Sequence, residues 1–234
     1  DILVDTSNLS KEFDFEIYKR TPRSNFYNCL KNSSHQFYYI PNKDEYYLLA
    51  GYPWFKIRAR DQFIALPGCT LSIGKPNDFE NIMDTAIPHL RNFMADRPYK
   101  SYIKQIDDPD LLLWVIWALQ QYYIENNSRF IDKYSEFLFE IISYILSNKH
   151  PNLLFHESNA LISTNGRDVA VSWMNAMIDG LPAIPRSGYL VEFNALWYNA
   201  LKFTEEIANE TGSHEKAASL VEKSNLAGKS FINT

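Results

Sequence analysis

The chain is poor in several things that mark common protein classes. Only two of its 234 residues are cysteine, Cys29 and Cys69. That excludes a disulfide-framed scaffold; one bridge is possible, and two free, buried thiols in a reducing, cytoplasmic setting are the expectation. There is no basic run, and the formal net charge is −5, which argues against a nucleic-acid or anionic-membrane surface as partner. No apolar run reaches membrane-spanning length, and no signal peptide is visible. The opening residues, Asp1 to Asn8, read as a start within a longer protein. The five histidines (His35, His89, His150, His156 and His214) show no metal-ligand spacing, so no metal is expected. Gly-rich nucleotide loops and the G-x-S-x-G elbow are absent, so no cofactor is expected, and Ser172 has no base near it in sequence.

What is present is a globular composition, with 46% hydrophobic, 22% charged and 15% aromatic residues. The aromatic surplus suits two settings. Flat rings cover the CH faces of a sugar, and they also fill an ordinary helical core.

Apolar spacing predicts mostly helices. "FEIYKR" and "FYNCLKN" look helical, and "HQFYYIP" looks extended. Gly51 and Pro53 mark a loop, and a helix follows from Asp61 until Gly74 stops it. Asp78 is expected to open the next helix, with a kink at Pro88. After a polar loop from Ala95 to Ile106, Asp108 is expected to cap a helix with Pro109 at its first position. Ser128 is expected to cap another. Residues 148–170 look irregular, with Asn165-Gly166 as a turn. A helix is expected over about Glu192–Glu210, and a last one from about Ser213. Helix alternating with long loop is compatible with an all-α bundle, an α-solenoid or an α/α toroid. No repeat period supports the solenoid, and no linker divides residues 1–234, which are read as one domain.

Four clusters could carry chemistry. The first is Trp54, Arg60 and Asp61, where a guanidinium beside a carboxylate can bind vicinal hydroxyls or simply form an ion pair and a cap. The second is Asp107, Asp108 and Asp110 ahead of Trp114 and Trp117, where capping is the plain alternative. The third is Trp173, Asn175 and Asp179. The fourth is Arg186, Glu192 and Trp197, in which Glu192 also suits the positive end of a helix dipole. A glycosidase needs two separated carboxyl groups, and the pattern alone does not choose them.

Taken in order, the clusters resemble the C-terminal glucosidase domain of glycogen debranching enzymes, the amylo-α-1,6-glucosidase family. "AGYPWFKIRARDQFIALPG" is similar to the family's G-Y-P-W-F…W-G-R-D-T-F-I-A-L-P-G. "DLLLWVIWALQQYY" resembles its V-D-A-x-L-W helix. "SWMNAMIDGLPAIPRSGYLVEFNALWYNAL" resembles T-W-M-D-A…P-x-T-P-R-x-G-x-x-V-E-I-N-A-L-W-Y-N-A-L. The likeness covers about residues 48–203. It implies an (α/α)6 toroid and hydrolysis, with inversion, of α-1,6-linked glucosyl stubs of glycogen. In such a reaction an acid and a base sit roughly 6.5–9.5 Å apart, with a water between base and sugar.

By the same resemblance Arg60 and Asp61 grip the terminal glucose. Trp54 and Asp110 line the pocket, and Trp173, Arg186 and Glu192 shape the glucose subsite. Three departures stand out. The family's general-acid Asp is Asn175 here, and a carboxamide has no titrating proton. The W-G-R-D tetrapeptide is Arg58-Ala59-Arg60-Asp61. The family's downstream segment bearing the base has no counterpart before Thr234. An incomplete toroid of about seven or eight helices is therefore expected, completed by more of the same chain. Two readings follow: a glucosidase in which Asp110, Asp179 or Glu192 replaces the acid, or a non-catalytic α-glucan-binding homologue.

Overall fold

The computed structural model describes residues 20–52, 54–98 and 100–233. The helix expected over "FEIYKR" lies outside them except for Arg20, and so does Pro53. Among the described residues there are seven α-helices, and helix makes up 56% of the structure. The strands form only two-stranded pairs, so the class is all-α, as the pattern predicts.

Helix α1 (Phe26–His35) is capped by Asn25, whose side chain accepts from Asn28 N. A hairpin of β1 (Tyr38–Asn42) and β2 (Glu45–Leu48) follows. Helix α2 (Ala59–Cys69) leads into a 3-10 turn over Leu71–Ile73, which Gly74 ends in the left-handed conformation, φ 73°. Then come α3 (Pro76–Met94), α4 (Leu111–Glu125), α5 (Asn127–Leu146), α6 (Val191–Glu210) and α7 (His214–Asn233).

Several helix starts differ from expectation. Helix α2 starts at Ala59, before Asp61. Helix α3 starts at Pro76, not Asp78, because proline suits the first helical position, where an N–H has no partner. It continues through Pro88 to Met94. Helix α4 starts at Leu111, and no side chain caps it. Asp108 and Asp110 do not cap because both carboxylates turn to Arg60 instead. Asn126 rather than Ser128 precedes α5. Its N–H closes α4 on Tyr122 O, and its carbonyl accepts from Phe130 N, so one residue joins two helices.

Helix α4 is the axis of the core. Leu112, Val115, Ile116, Leu119 and Tyr122 bury its successive faces, and a helix apolar all round must be surrounded. Helices α2, α5 and α6 pack on it. Trp114, Trp117, Gln120 and Gln121 are partly open, and the last turn is exposed at Ile124 and Glu125. Glu80 on α3 is buried where α3, α4 and α5 meet, and Arg129, Lys133 and the Tyr122 hydroxyl surround it. Burial alone would raise its pKa, but those hydrogen bonds and charges hold it below the usual range. Helices α6 and α7 form a hairpin closed by a Schellman turn. Ser213 N donates to Ala208 O, Gly212 N donates to Asn209 O, and Gly212 takes φ 70°.

Between α5 and α6 runs a long segment with two minimal hairpins. Strand β3 (Leu154–Phe155) pairs with β4 (Ile162–Ser163), and β5 (Met177–Ile178) pairs with β6 (Leu181–Pro182). Side-chain amides do much of the remaining work. Asn148 bonds both backbone groups of Phe155, and Asn152 Oδ1 accepts from Thr164 and Asn165. Asn194, on α6, takes the Ile162 N–H and donates to Ile162 O and Leu190 O. Trp197 is fully buried, its indole N–H on Ala160 O.

Asn165-Gly166 is not a turn. Glycine stands at 166 because a Cβ there would run into the Arg186 carbonyl and meet Val171 Cγ2 at 2.9 Å. Both cysteines are free, as expected, but half-buried rather than buried.

Candidate functional site

Arg60 lies in the first turn of α2, with 8% of its surface exposed. A guanidinium so enclosed needs an anionic partner. Its Nε donates to Asp110 Oδ1 at 3.0 Å and Oδ2 at 2.9 Å, and Nη2 donates to Oδ1 at 2.8 Å. The Trp114 indole N–H adds a fourth bond to Asp110, at 3.1 Å to Oδ2. Asp108 approaches Nη2 at 2.8 Å as an ion pair without hydrogen-bond alignment, so its buried Oδ2 is left without a hydrogen-bond partner. Burial pushes the Asp108 carboxyl up to about 6. Arg60 opposes that shift, while Asp110 and Asp107 add to it.

The resemblance implies that Arg60 grips sugar. Its Nε and Nη2 are committed to the two carboxylates, and Nη1 is the nitrogen with no hydrogen bond among the described residues. Asp61 follows on the helix and is exposed. Together Arg60, Asp61 and Trp173 line one cleft of about 390 Å³, with Phe37, Ile64 and Cys69 as apolar wall.

Trp173 also lines an adjoining cleft of about 380 Å³ with Met174, Asn175 and Ile184. The indole is 64% exposed, a flat face open to solvent. Ser172 directly before it is buried, and its hydroxyl oxygen accepts from Met174 N and from Arg186 Nη1, both at 3.2 Å. Arg186 also grips Glu192 by a fork, Nη1 to Oε1 and Nη2 to Oε2, the latter at 3.1 Å. Burial would raise the Glu192 pKa, but the Arg186 bonds bring it below the usual carboxylate range. Arg186 therefore ties the Trp173 loop to the start of α6.

Two candidates stand apart. Trp54 is 77% exposed and lines neither cleft. Asp179 is exposed at the tip of the β5–β6 hairpin, with φ 49°, followed by Gly180 at φ 81°. Asp-Gly with both residues left-handed is the turn that a two-residue hairpin requires, which accounts for the pair without chemistry.

Sequence reasoning passes over three residues that organise this region. In the sequence Asp108 has the form of a cap, Ser172 of an idle hydroxyl, and Gly166 of a turn. None of the three leaves a usable signal, since each has a plainer local reading.

A helical core with paired arginine–carboxylate contacts and an open indole at its loop ends has the build of an all-α glycosidase domain. Residues 30–232 match the model of the amylo-α-1,6-glucosidase family, and the chain belongs to that family. Neither the search of curated proteins nor that of solved structures found a match.

Proposed function

We propose that the chain is the sugar-gripping part of a glycogen-debranching-type domain, and that its cleft holds an α-glucan without cleaving it. Asn175 carries this reading. It lies next to the open Trp173 face, in a cleft lined otherwise by Met174, Ala176, Ala183 and Ile184, with no carboxyl group. A carboxamide there can donate a hydrogen bond to a glycosidic oxygen but cannot transfer a proton to it. Trp173 supplies a stacking face, and Asp61 and Arg60 supply polar contacts. The two free thiols support a cytoplasmic setting.

Calorimetry with maltooligosaccharides, run beside an assay on an α-1,6-glucosyl dextrin, tests the proposal. Binding without glucose release is expected. No binding, or turnover by the chain, would overturn it.

One observation favours a second reading, hydrolysis through a substitute acid. Asp108 is the carboxyl raised to about 6 by burial, so it keeps its proton nearer neutrality than an ordinary Asp. The other candidates serve less well. Asp110 is saturated by Arg60 and Trp114, Glu192 is held ionised by Arg186, and Asp179 sits on an exposed turn. Asp108, however, lines another cleft, with Asn152 and Asp168. Glucose release that Asp108→Asn abolishes would establish this reading in place of the first.

A further inference from the structure

A second cleft, of about 800 Å³, opens between α1, the β1–β2 hairpin and the start of α3. It shares no lining residue with the cleft of Arg60 and Trp173. Among the described residues three cations line it, Arg20, Lys31 and Lys75, against the single carboxylate of Asp78. On a chain with net charge −5 this is a local reversal of sign.

The three cations are differently engaged. Lys75 is loosely paired, 3.5 Å from Asp78 and 3.4 Å from His35 Nδ1. Arg20 and Lys31 have no ion pair among the described residues. Lysine donating to Nδ1 leaves the proton of a neutral His35 ring on Nε2, a free donor. The nineteen-residue helix α3 begins at this cleft with no side-chain cap, so its positive end adds to the field. The wall is also fixed in place. Buried Asn32 donates to Thr21 O at 2.7 Å and accepts from Thr21 N at 3.1 Å, which ties the Arg20 segment to α1.

We propose that this cleft binds a phosphomonoester of sugar size. The phosphate lies among Lys31, Arg20 and Lys75, and the body of the ligand lies against Tyr38 and Tyr46. Cations in excess over carboxylates select a dianion, and the cavity is too large for phosphate alone. Two tyrosine rings with Gln36 offer a stacking face and an amide group to hydroxyls, as a pyranose requires.

The site also adjoins the first cleft at Tyr38. Tyr38 lines the cationic cleft and donates from its hydroxyl to Cys69 O at 2.9 Å. Phe37, next in the chain, and Cys69 line the cleft of Arg60 and Trp173.

Titration calorimetry of the chain with glucose 6-phosphate, inorganic phosphate and glucose tests the proposal. Saturable binding of the ester is expected, weakening as salt rises. The Arg20→Ala, Lys31→Ala double variant should bind roughly tenfold more weakly or worse, since it removes two charge-assisted contacts. Glucose should not displace the ester, and any glucose binding should be the same in the double variant as in the parent. Inorganic phosphate bound as tightly as the ester would still uphold the phosphate chemistry and name free phosphate as the ligand. No heat with either phosphate, displacement of the ester by glucose, or an unaltered double variant would overturn the proposal. If that variant does not fold, crystals of the unaltered chain soaked in tungstate decide. Density between Lys31 and Lys75 supports the site, and its absence removes it. None of these results bears on the Asn175 reading.

Discussion

Arg60 and Asp110 lie fifty positions apart and share three hydrogen bonds of 2.8–3.0 Å in the protein interior. The pair fastens the start of α2 to the start of α4. Replacing Asp110 by Ala would leave the guanidinium buried with only the misaligned Asp108 beside it. A loss of about 3 kcal/mol in unfolding free energy is expected, measured by urea denaturation. A change below about 1 kcal/mol would mean that Asp108 substitutes fully.

Asp108 gives stability an unusual pH dependence. Its carboxyl is raised to about 6 in the folded chain, from an ordinary value of 3.8. Between those values the native state holds a proton that the unfolded state has lost. This group therefore lowers stability as pH rises through that window and has no further effect above it. Asp108→Asn should cancel the penalty. The variant is expected to gain about 1–2 kcal/mol over the parent at pH 7, and little at pH 4. Thermal melts across pH 4–7 check it, and parallel curves would refute it.

Gly166 tests the packing of the loop. Alanine there would collide with the Arg186 carbonyl, displacing the segment that positions the Arg186–Glu192 fork. A loss of about 2 kcal/mol or more is expected. Gly68 in helix α2 is the control, because a Cβ added there would meet nothing within 4 Å. Its alanine variant should gain up to about 1 kcal/mol.

Trp173 is expected to act on ligand and not on fold. With the side chain 64% exposed, Trp173→Ala should leave the melting temperature within about 1 °C. Maltooligosaccharide affinity should fall roughly tenfold. Unchanged affinity in calorimetry would show that the open indole is not a sugar platform.

The helices are largely legible in the sequence because they rest on local periodicity. The stripe over Phe130, Tyr134, Phe137, Leu138 and Ile141 buries as its spacing predicts. Helix starts are less legible wherever a distant charge competes. Asp108 has the form of a cap, and only its meeting with Arg60 in space shows why it does not serve as one. The third motif reads as a unit in the sequence, but its residues divide in the fold. Asn194 and Trp197 hold backbone in the core, Arg186 and Glu192 brace a loop, and Trp173 and Asn175 face a cleft. Such a division depends on burial, which no spacing reports. The cationic cleft is invisible in the sequence for the same reason, since Arg20, Lys31 and Lys75 are scattered over fifty-five positions and form no run.

The segment from Asn148 to Leu190 is stitched rather than laddered. In a broad sheet each strand is held by many equivalent bonds, and losing one leaves the neighbours in register. Here each amide spans its own stretch: Asn148 the chain to Phe155, Asn152 the chain to Asn165, and Asn194 the chain at Ile162 and Leu190. The loop can therefore open piece by piece while the helices beneath stay closed. The stretch carrying Trp173 and Asn175 is held by the Ser172 hydroxyl and its link to Arg186, and at its far end by Ala183 N donating to Ala176 O. It can yield to an incoming chain of sugars without disturbing the core that presents it.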